Sequence, residues 1–166
     1  MSSQWPVKTL EEIQSSSGRA FAIGPFGSRM KSDTYVAKGV RVVRGTNIGD
    51  SRALKGDFVY ITEELASQLE SCRISPGDLF FPHRGSIGEV GIIDWDDEGR
   101  YILSSSLMKF ACNLKLADPR FLYYYFRTAE GKNEILRFAS TVGTPGIGQP
   151  LSSLRQMRVP APPVEL

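Results

Sequence analysis

Apolar and polar positions change period repeatedly along this chain, from two to about 3.6 and back, over segments of only four to ten residues. Gly39-Val40-Arg41-Val42-Val43-Arg44 alternates and is β-branched, which predicts a strand. Phe58–Ile61, Leu79–Phe81, Val90–Ile93, Tyr101–Leu103, Leu107–Cys112 and Met157–Val159 read as further strands. Helix-start signals fall at three places. Thr9 precedes Leu10, Glu11, Glu12 and Ile13, a short first helix that Ser15-Ser16-Ser17-Gly18 ends. Thr62 is an N-cap followed by Glu63 and Glu64, with Leu65 and Leu69 four apart on the core side. Asp118-Pro119 is the favoured cap-and-first-residue pair, ahead of an aromatic run from Phe121 to Phe126. Gly131 is expected to break that helix, and Asn133–Ala139 to form another. Leu151–Leu154 reads as a helical turn, and Pro160–Pro163 breaks the chain. Short strands mixed with short helices predict an α+β domain. The expectation is a single domain over residues 1–166, with a curved mixed or antiparallel β-sheet or partial barrel flanked by short helices.

Between these elements lie four loops of one composition: glycine, a hydroxyl and usually a cation. They are Gly24–Lys31, Arg44–Asn47, His83–Gly88 and Thr141–Gly148. The first packs two glycines, a proline, an aromatic and two cations into Ile23-Gly24-Pro25-Phe26-Gly27-Ser28-Arg29-Met30-Lys31, which has neither period. Glycine permits close backbone approach and Pro25 fixes φ, so this is a shaped loop. Each loop alone reads equally well as an ordinary turn. Together they suit a nucleic-acid surface, where hydroxyls and cations hold phosphates and Arg or Asn reads base edges. Arg44, Asn47 and Arg84 are the base-edge candidates. Ser28, Arg29, Lys31 and Ser86 suit phosphates, and Thr46, His83 and Thr144 complete the candidate DNA-binding set.

Net charge is only +2, but its distribution is bipolar. Residues 28–55 carry seven cations and two anions, residues 57–100 three cations and ten anions, and residues 119–158 six cations and two anions. Such a chain can fold with one basic and one acidic face, and a basic face attracts nucleic acid; solvated surface charge without a partner is the plain alternative. Hydrophobic content of 41% and the absence of any apolar run of membrane-spanning length mark a water-soluble globular chain, not a membrane protein. Met1-Ser2-Ser3-Gln4 has neither a basic region nor an apolar run, so no signal peptide is expected. Cys72 and Cys112 lack CxxC spacing and read as reduced thiols of a cytoplasmic protein.

Catalytic and cofactor motifs are weak. His83 is the only histidine, so a zinc cluster is not expected. It could serve as a general base, yet no partner nucleophile accompanies it. Residues 24–31 do not follow the phosphate-loop pattern, and Gly85–Gly91 lacks the first spacing of the dinucleotide fingerprint. Ser104-Ser105-Ser106 has no nucleophile elbow. Asp94–Glu98 resembles half a calcium loop with the wrong spacing, and a solvated hairpin tip fits better. Tyr123-Tyr124-Tyr125 could stack bases, but at most two share a helix face, which favours packing in the core.

An ordered set of short motifs carries more weight than any one of them. Trp5-Pro6-Val7-Lys8-Thr9-Leu10 comes first, then Gly24-Pro25-Phe26-Gly27-Ser28, Gly39-Val40, and Val43-Arg44-Gly45-Thr46-Asn47-Ile48. Gly77-Asp78-Leu79-Phe80-Phe81, Arg84-Gly85-Ser86-Ile87-Gly88, Asp118-Pro119-Arg120-Phe121-Leu122 and Val159-Pro160-Ala161-Pro162-Pro163 follow. From Trp5 to Pro163 the chain resembles a target recognition domain of the specificity (S) subunit of type I restriction-modification systems. The resemblance implies a double-stranded DNA reader that addresses one half of a split site and is not itself an enzyme. It implies methyltransferase (modification) subunits and a restriction subunit as partners. S-adenosylmethionine, ATP and Mg would then be used in those partners, with no cofactor in this chain. In the family the Pro-rich close continues into a long spacer helix. Here residues 160–166 end the sequence, which implies an excised domain or a half-sized form. Other classes stay open at this level: the recognition region of a fused methyltransferase-nuclease, or a protein-interaction module using the Tyr123–Phe126 and Ile135–Phe138 helices.

Overall fold

The computed structural model describes residues 5–25, 29–97, 99–140, 143 and 145–164. Its strands are β1 (Val7–Thr9), β2 (Phe21–Ile23), β3 (Val40–Val43), β4 (Val59–Ile61), β5 (Arg73–Ile74), β6 (Leu79–Pro82), β7 (Gly91–Ile92), β8 (Tyr101–Leu103), β9 (Leu107–Phe110), β10 (Ala139–Ser140), β11 (Gly146–Ile147) and β12 (Arg158–Pro160). Its helices are α1 (Glu63–Gln68), α2 (Pro119–Arg127), α3 (Ala129–Leu136) and α4 (Pro150–Gln156). The class is α+β, as the sequence predicts. The strands form two open four-stranded sheets, β2-β9-β6-β7 and β4-β3-β8-β5, and two short pairs, β1-β12 and β10-β11.

Chain order and burial fix the layers. All four residues of β6 and all four of β9 are buried, so this sheet is covered on both faces. Leu79, Phe81, Met108 and Phe110 point to one side and pack with Leu122, Tyr123, Phe126, Ile135 and Leu154 from the helices. Phe81 meets Phe126 edge-on with ring centroids 5.1 Å apart. Phe80 and Leu107 point to the other side and pack with Val40, Val42, Ile61, Ile74 and Ile102 of the second sheet. The order is therefore α2–α4, sheet, sheet, with Ala66 of α1 in the second cluster. In the second sheet β3 pairs antiparallel with β4 but parallel with β8, Val42 lying opposite Ile102. The β8–β9 connection, Ser104-Ser105-Ser106, steps from one sheet to the other.

Local capping follows the sequence closely. Thr62 Oγ1 accepts from the Leu65 N–H (3.1 Å), and the Asp118 carboxylate accepts from the Arg120 N–H (2.9 Å). Glu11–Ile13 is a single 3-10 turn, with Thr9 and Glu12 capping each other: Thr9 N–H donates to Glu12 Oε1 (2.8 Å) and Glu12 N–H to Thr9 Oγ1 (3.3 Å). Gly131 does not break the aromatic helix. That helix ends at Thr128, and Gly131 lies inside α3, where a Cβ would sit 2.1 Å from the Tyr125 carbonyl oxygen. The glycine lets two helices cross closely. Tyr123 is fully buried, while Tyr124 is half-exposed, so the aromatic run serves mainly the core. For the same reason the expected docking surface shrinks: Phe126 and Ile135 are buried, leaving Tyr124 and Leu136 outside. Strands β1, β2, β5, β10 and β11 were not legible as periods, because two or three residues show none.

Several charges serve the fold. Asp94 takes Arg52 (3.2 Å) from one basic stretch and Arg120 (3.0 Å) from the other, and Asp97 accepts from the Tyr101 hydroxyl (2.8 Å). The acidic segment is thus partly neutralised by basic ones. Glu98 lies outside the described residues. Lys109, from the middle of β9, pairs with Asp78 at 3.3 Å, both side chains about nine-tenths buried. No helix among the described residues is long and apolar enough to cross a membrane.

Candidate nucleic-acid interface

The turn between β8 and β9 organises the loops around it. Ser104 N–H donates to the Val43 carbonyl (3.0 Å), one residue before Arg44. His83 N–H donates to the Ser106 carbonyl (2.9 Å). Gly24 N–H donates to the Leu107 carbonyl (2.9 Å), and the Ser104 carbonyl oxygen occupies the place a Gly24 side chain would take. Arg84 forms an antiparallel bridge with Gly146, and the Ile147 N–H donates to the His83 carbonyl (2.9 Å). All four glycine-hydroxyl loops are therefore attached, directly or through His83 and Arg84, to Ser104–Leu107. Sequence reasoning noticed these serines only as lacking a nucleophile elbow. Their signal was a three-residue polar break between two buried strands, which a search for catalytic patterns passes over.

At this junction lies a shallow depression. The second loop contributes Arg44, Gly45 and Thr46, and the third Arg84, Gly85 and Ser86. Ser104, Ser105, Ser106 and Tyr35 complete its lining. No carboxylate lines it. Its two cations are tethered by backbone carbonyls. Arg84 Nη2 donates to the Ser105 carbonyl (3.1 Å), and Arg44 Nη2 to the Asp57 carbonyl (3.1 Å). Arg44 Nε is buried without a hydrogen-bond partner.

The other expected site residues are placed differently. Asn47 is not at a base edge: it is 0% exposed, and its amide is spent inside the loop. Its Oδ1 accepts from the Arg44 N–H (2.9 Å), and its Nδ2 donates to the Lys55 (2.8 Å) and Asp57 (3.0 Å) carbonyls. A buried, tightly turned segment must pair its backbone groups, and an Asn side chain does so with the reach of a peptide unit. Its role is to shape the loop that carries Arg44. Asn47→Ala is accordingly expected to lower stability by about 1–3 kcal/mol, since it leaves buried groups unpaired; thermal unfolding of the variant measures this.

His83 is also inside, at 6% exposed, with Nε2 lacking a partner. Burial, helped by the neighbouring Arg84 guanidinium, pushes its pKa below the ordinary value, so the ring is neutral near pH 7. It does not reach the surface as a DNA contact: just past β6, its backbone pairs with Ser106 on one side and Ile147 on the other. Arg29 is exposed, but its Nη2 donates to the Gln68 carbonyl (2.9 Å) at the end of α1, and it does not line the depression. Lys31 is exposed, and no described residue pairs with its ammonium; the turn it opens leads to Tyr35. Ser28 and Thr144 lie outside the described residues. The structure thus brings together Arg44, Thr46, Arg84 and Ser86.

Among the described residues no group of three His, Cys, Asp or Glu side chains comes together as a metal site. Both cysteines are buried and free. Burial pushes the Cys112 thiol up to about 12 and raises Cys72 as well, so neither is an activated nucleophile.

By sequence, no family model and no curated protein matches the chain. By structure, its fold is that of one segment of type I restriction-modification specificity subunits. One example is the HsdS subunit of Thermoanaerobacter tengcongensis, with a TM-score of 0.62 and 15% identity over 98% of this chain and 34% of that one. A chain from a type I R-M system, solved in work on complex assembly and conformational transition, gives a TM-score of 0.66 at 17% identity over 99% and 35%. The S subunit of M. genitalium gives 0.59 at 15% identity over 95% and 34%. The chain therefore spans about a third of the length of each of these proteins.

Proposed function

We propose that the chain is a target recognition domain of a type I specificity subunit: a non-catalytic reader of double-stranded DNA, acting in the cytoplasm. In this reading it directs a partner methyltransferase, and through it a restriction subunit, to one half of a split site. S-adenosylmethionine, ATP and Mg belong to those partners. The observation that carries the reading is the meeting of Arg44, Thr46, Arg84 and Ser86 in one carboxylate-free depression, on a fold shared with such subunits. Tethered arginines suit base edges, while the exposed ammonium of Lys31, which no described residue pairs with, suits a phosphate.

The test is fluorescence anisotropy with a duplex carrying the modification site of the parent system, against a scrambled duplex. The cognate duplex is expected to bind more tightly. With six phosphate contacts its Kd would rise about a thousandfold from 50 to 200 mM salt. Equal binding of both duplexes at every salt concentration would sink the proposal. Lys31→Ala is expected to weaken all duplexes alike and to lower the salt slope by about one; a changed sequence preference would overturn its phosphate assignment. Incorporation of label from S-adenosylmethionine by the chain alone would overturn the non-catalytic reading.

A further inference from the structure

We infer that the depression selects guanine, read in the major groove by Arg84 with Arg44 beside it. This rests on the DNA-recognition reading above and goes beyond it by naming the base. The four bases differ in what they present in that groove. Guanine offers two acceptors, O6 and N7; adenine an acceptor beside an amino donor; cytosine an amino donor; thymine one acceptor and a methyl. A site selects among them by the donors and acceptors it holds ready.

This depression holds side-chain donors of fixed direction and no charged or amide acceptor. Its charged groups are two guanidiniums, and neither a carboxylate nor a side-chain amide lines it. The one amide of these loops that could have matched adenine, Asn47, has both ends committed to backbone partners and is 0% exposed. The hydroxyls of Thr46, Ser86 and Ser104–Ser106 rotate, so they follow whichever base is present and do not choose it.

The arginines are held as a base reader requires. A guanidinium carries five N–H groups in one plane, and a bidentate contact with O6 and N7 needs that plane fixed. The Ser105 carbonyl holds Arg84 by Nη2, and the Asp57 carbonyl holds Arg44 by Nη2. In both, Nη1 makes no hydrogen bond with a described residue; Arg44 Nε is buried, so the Nη groups are what this fork has left to donate. Each fork is thus oriented by one proton and keeps others to donate. A phosphate also accepts an oriented fork, but the point charge of a lysine serves it as well, whereas O6 and N7 together call for the fork.

The experiment is selection of duplexes from a randomised library by the 166-residue chain, repeated with Arg84→Ala and Arg44→Ala. The enriched motif is expected to contain an invariant guanine. Arg84→Ala is expected to reduce preference for one guanine by about 5- to 150-fold while leaving other positions readable. Arg84 is exposed, so this variant should keep the fold, and circular dichroism checks that it does. Replacing that guanine by 7-deazaguanine removes the N7 acceptor without touching the protein. It is expected to weaken the unaltered chain and to have little further effect on the Arg84→Ala variant. A motif without guanine, or uniform weakening of all sequences by both arginine variants, would overturn the inference and leave DNA recognition standing. Binding with no enriched motif would overturn both.

Discussion

Replacing Lys109 by methionine is expected to destabilise the fold by about 3–5 kcal/mol, the cost of leaving its buried partner Asp78 without a counter-charge. Asp78 lies immediately before β6, where its Oδ2 accepts from the Ser75 N–H (2.9 Å) and from Lys109 Nζ (3.3 Å). Burial raises its pKa, against the pull of Lys109 and of the Ser75 hydrogen bond. The sign of the pH dependence follows. With a folded pKa above the unfolded one, the folded state binds more protons in the window between them. This group's contribution to stability therefore falls as pH rises through that window. Without Lys109 the window widens upward. The deficit of Lys109→Met should be largest near pH 7 and shrink as acid protonates Asp78. Adding Asp78→Asn, which keeps an oxygen for Ser75, should recover most of the loss. Thermal or urea unfolding across pH measures both; a pH-independent deficit that Asp78→Asn does not relieve would contradict the account.

Gly24→Ala is expected to damage fold and interface together. The new Cβ would lie 1.8 Å from the Ser104 carbonyl oxygen and 3.1 Å from Ser105 Cα, both backbone atoms. A backbone shift in a packed region costs about 1–3 kcal/mol. It also moves Ser105, whose carbonyl holds Arg84. Thermal unfolding should show the loss of stability, and cognate-duplex affinity should fall more than scrambled-duplex affinity. Gly148→Ala is the matched control, since nothing lies within 4 Å of its Cβ position; it should change stability by no more than about 0.5 kcal/mol. Gly24→Ala unfolding like the unaltered chain would show that the loop is not wedged on the serine turn.

The Gly24–Lys31 loop was read for the close approach its glycines permit, and Gly24 makes such an approach. Helix starts at Thr62 and Asp118 were legible because a cap lies within three residues of the groups it pairs. Strands β3, β6, β8 and β9 were legible from their apolar runs. Of the candidate site, Arg44, Thr46, Arg84 and Ser86 came together, while Asn47 and His83 went inside. Asn47 and Arg44 are both polar residues of one glycine turn, and the Asn47 amide is claimed by the Arg44 N–H and by the carbonyls of Lys55 and Asp57.

The sequence by itself determined the α+β class, the helix starts and the chemistry of the four loops. These depend on periods and caps that a few neighbouring residues express. The tertiary structure alone decided that the loops meet on Ser104–Leu107, that β3 pairs parallel with β8, and which polar side chains stay free to bind. Those outcomes turn on hydrogen bonds between separate segments of the chain, from Asn47 with Lys55 to Gly24 with Leu107. A buried backbone group must find a partner somewhere, and the side chain that satisfies it is withdrawn from function.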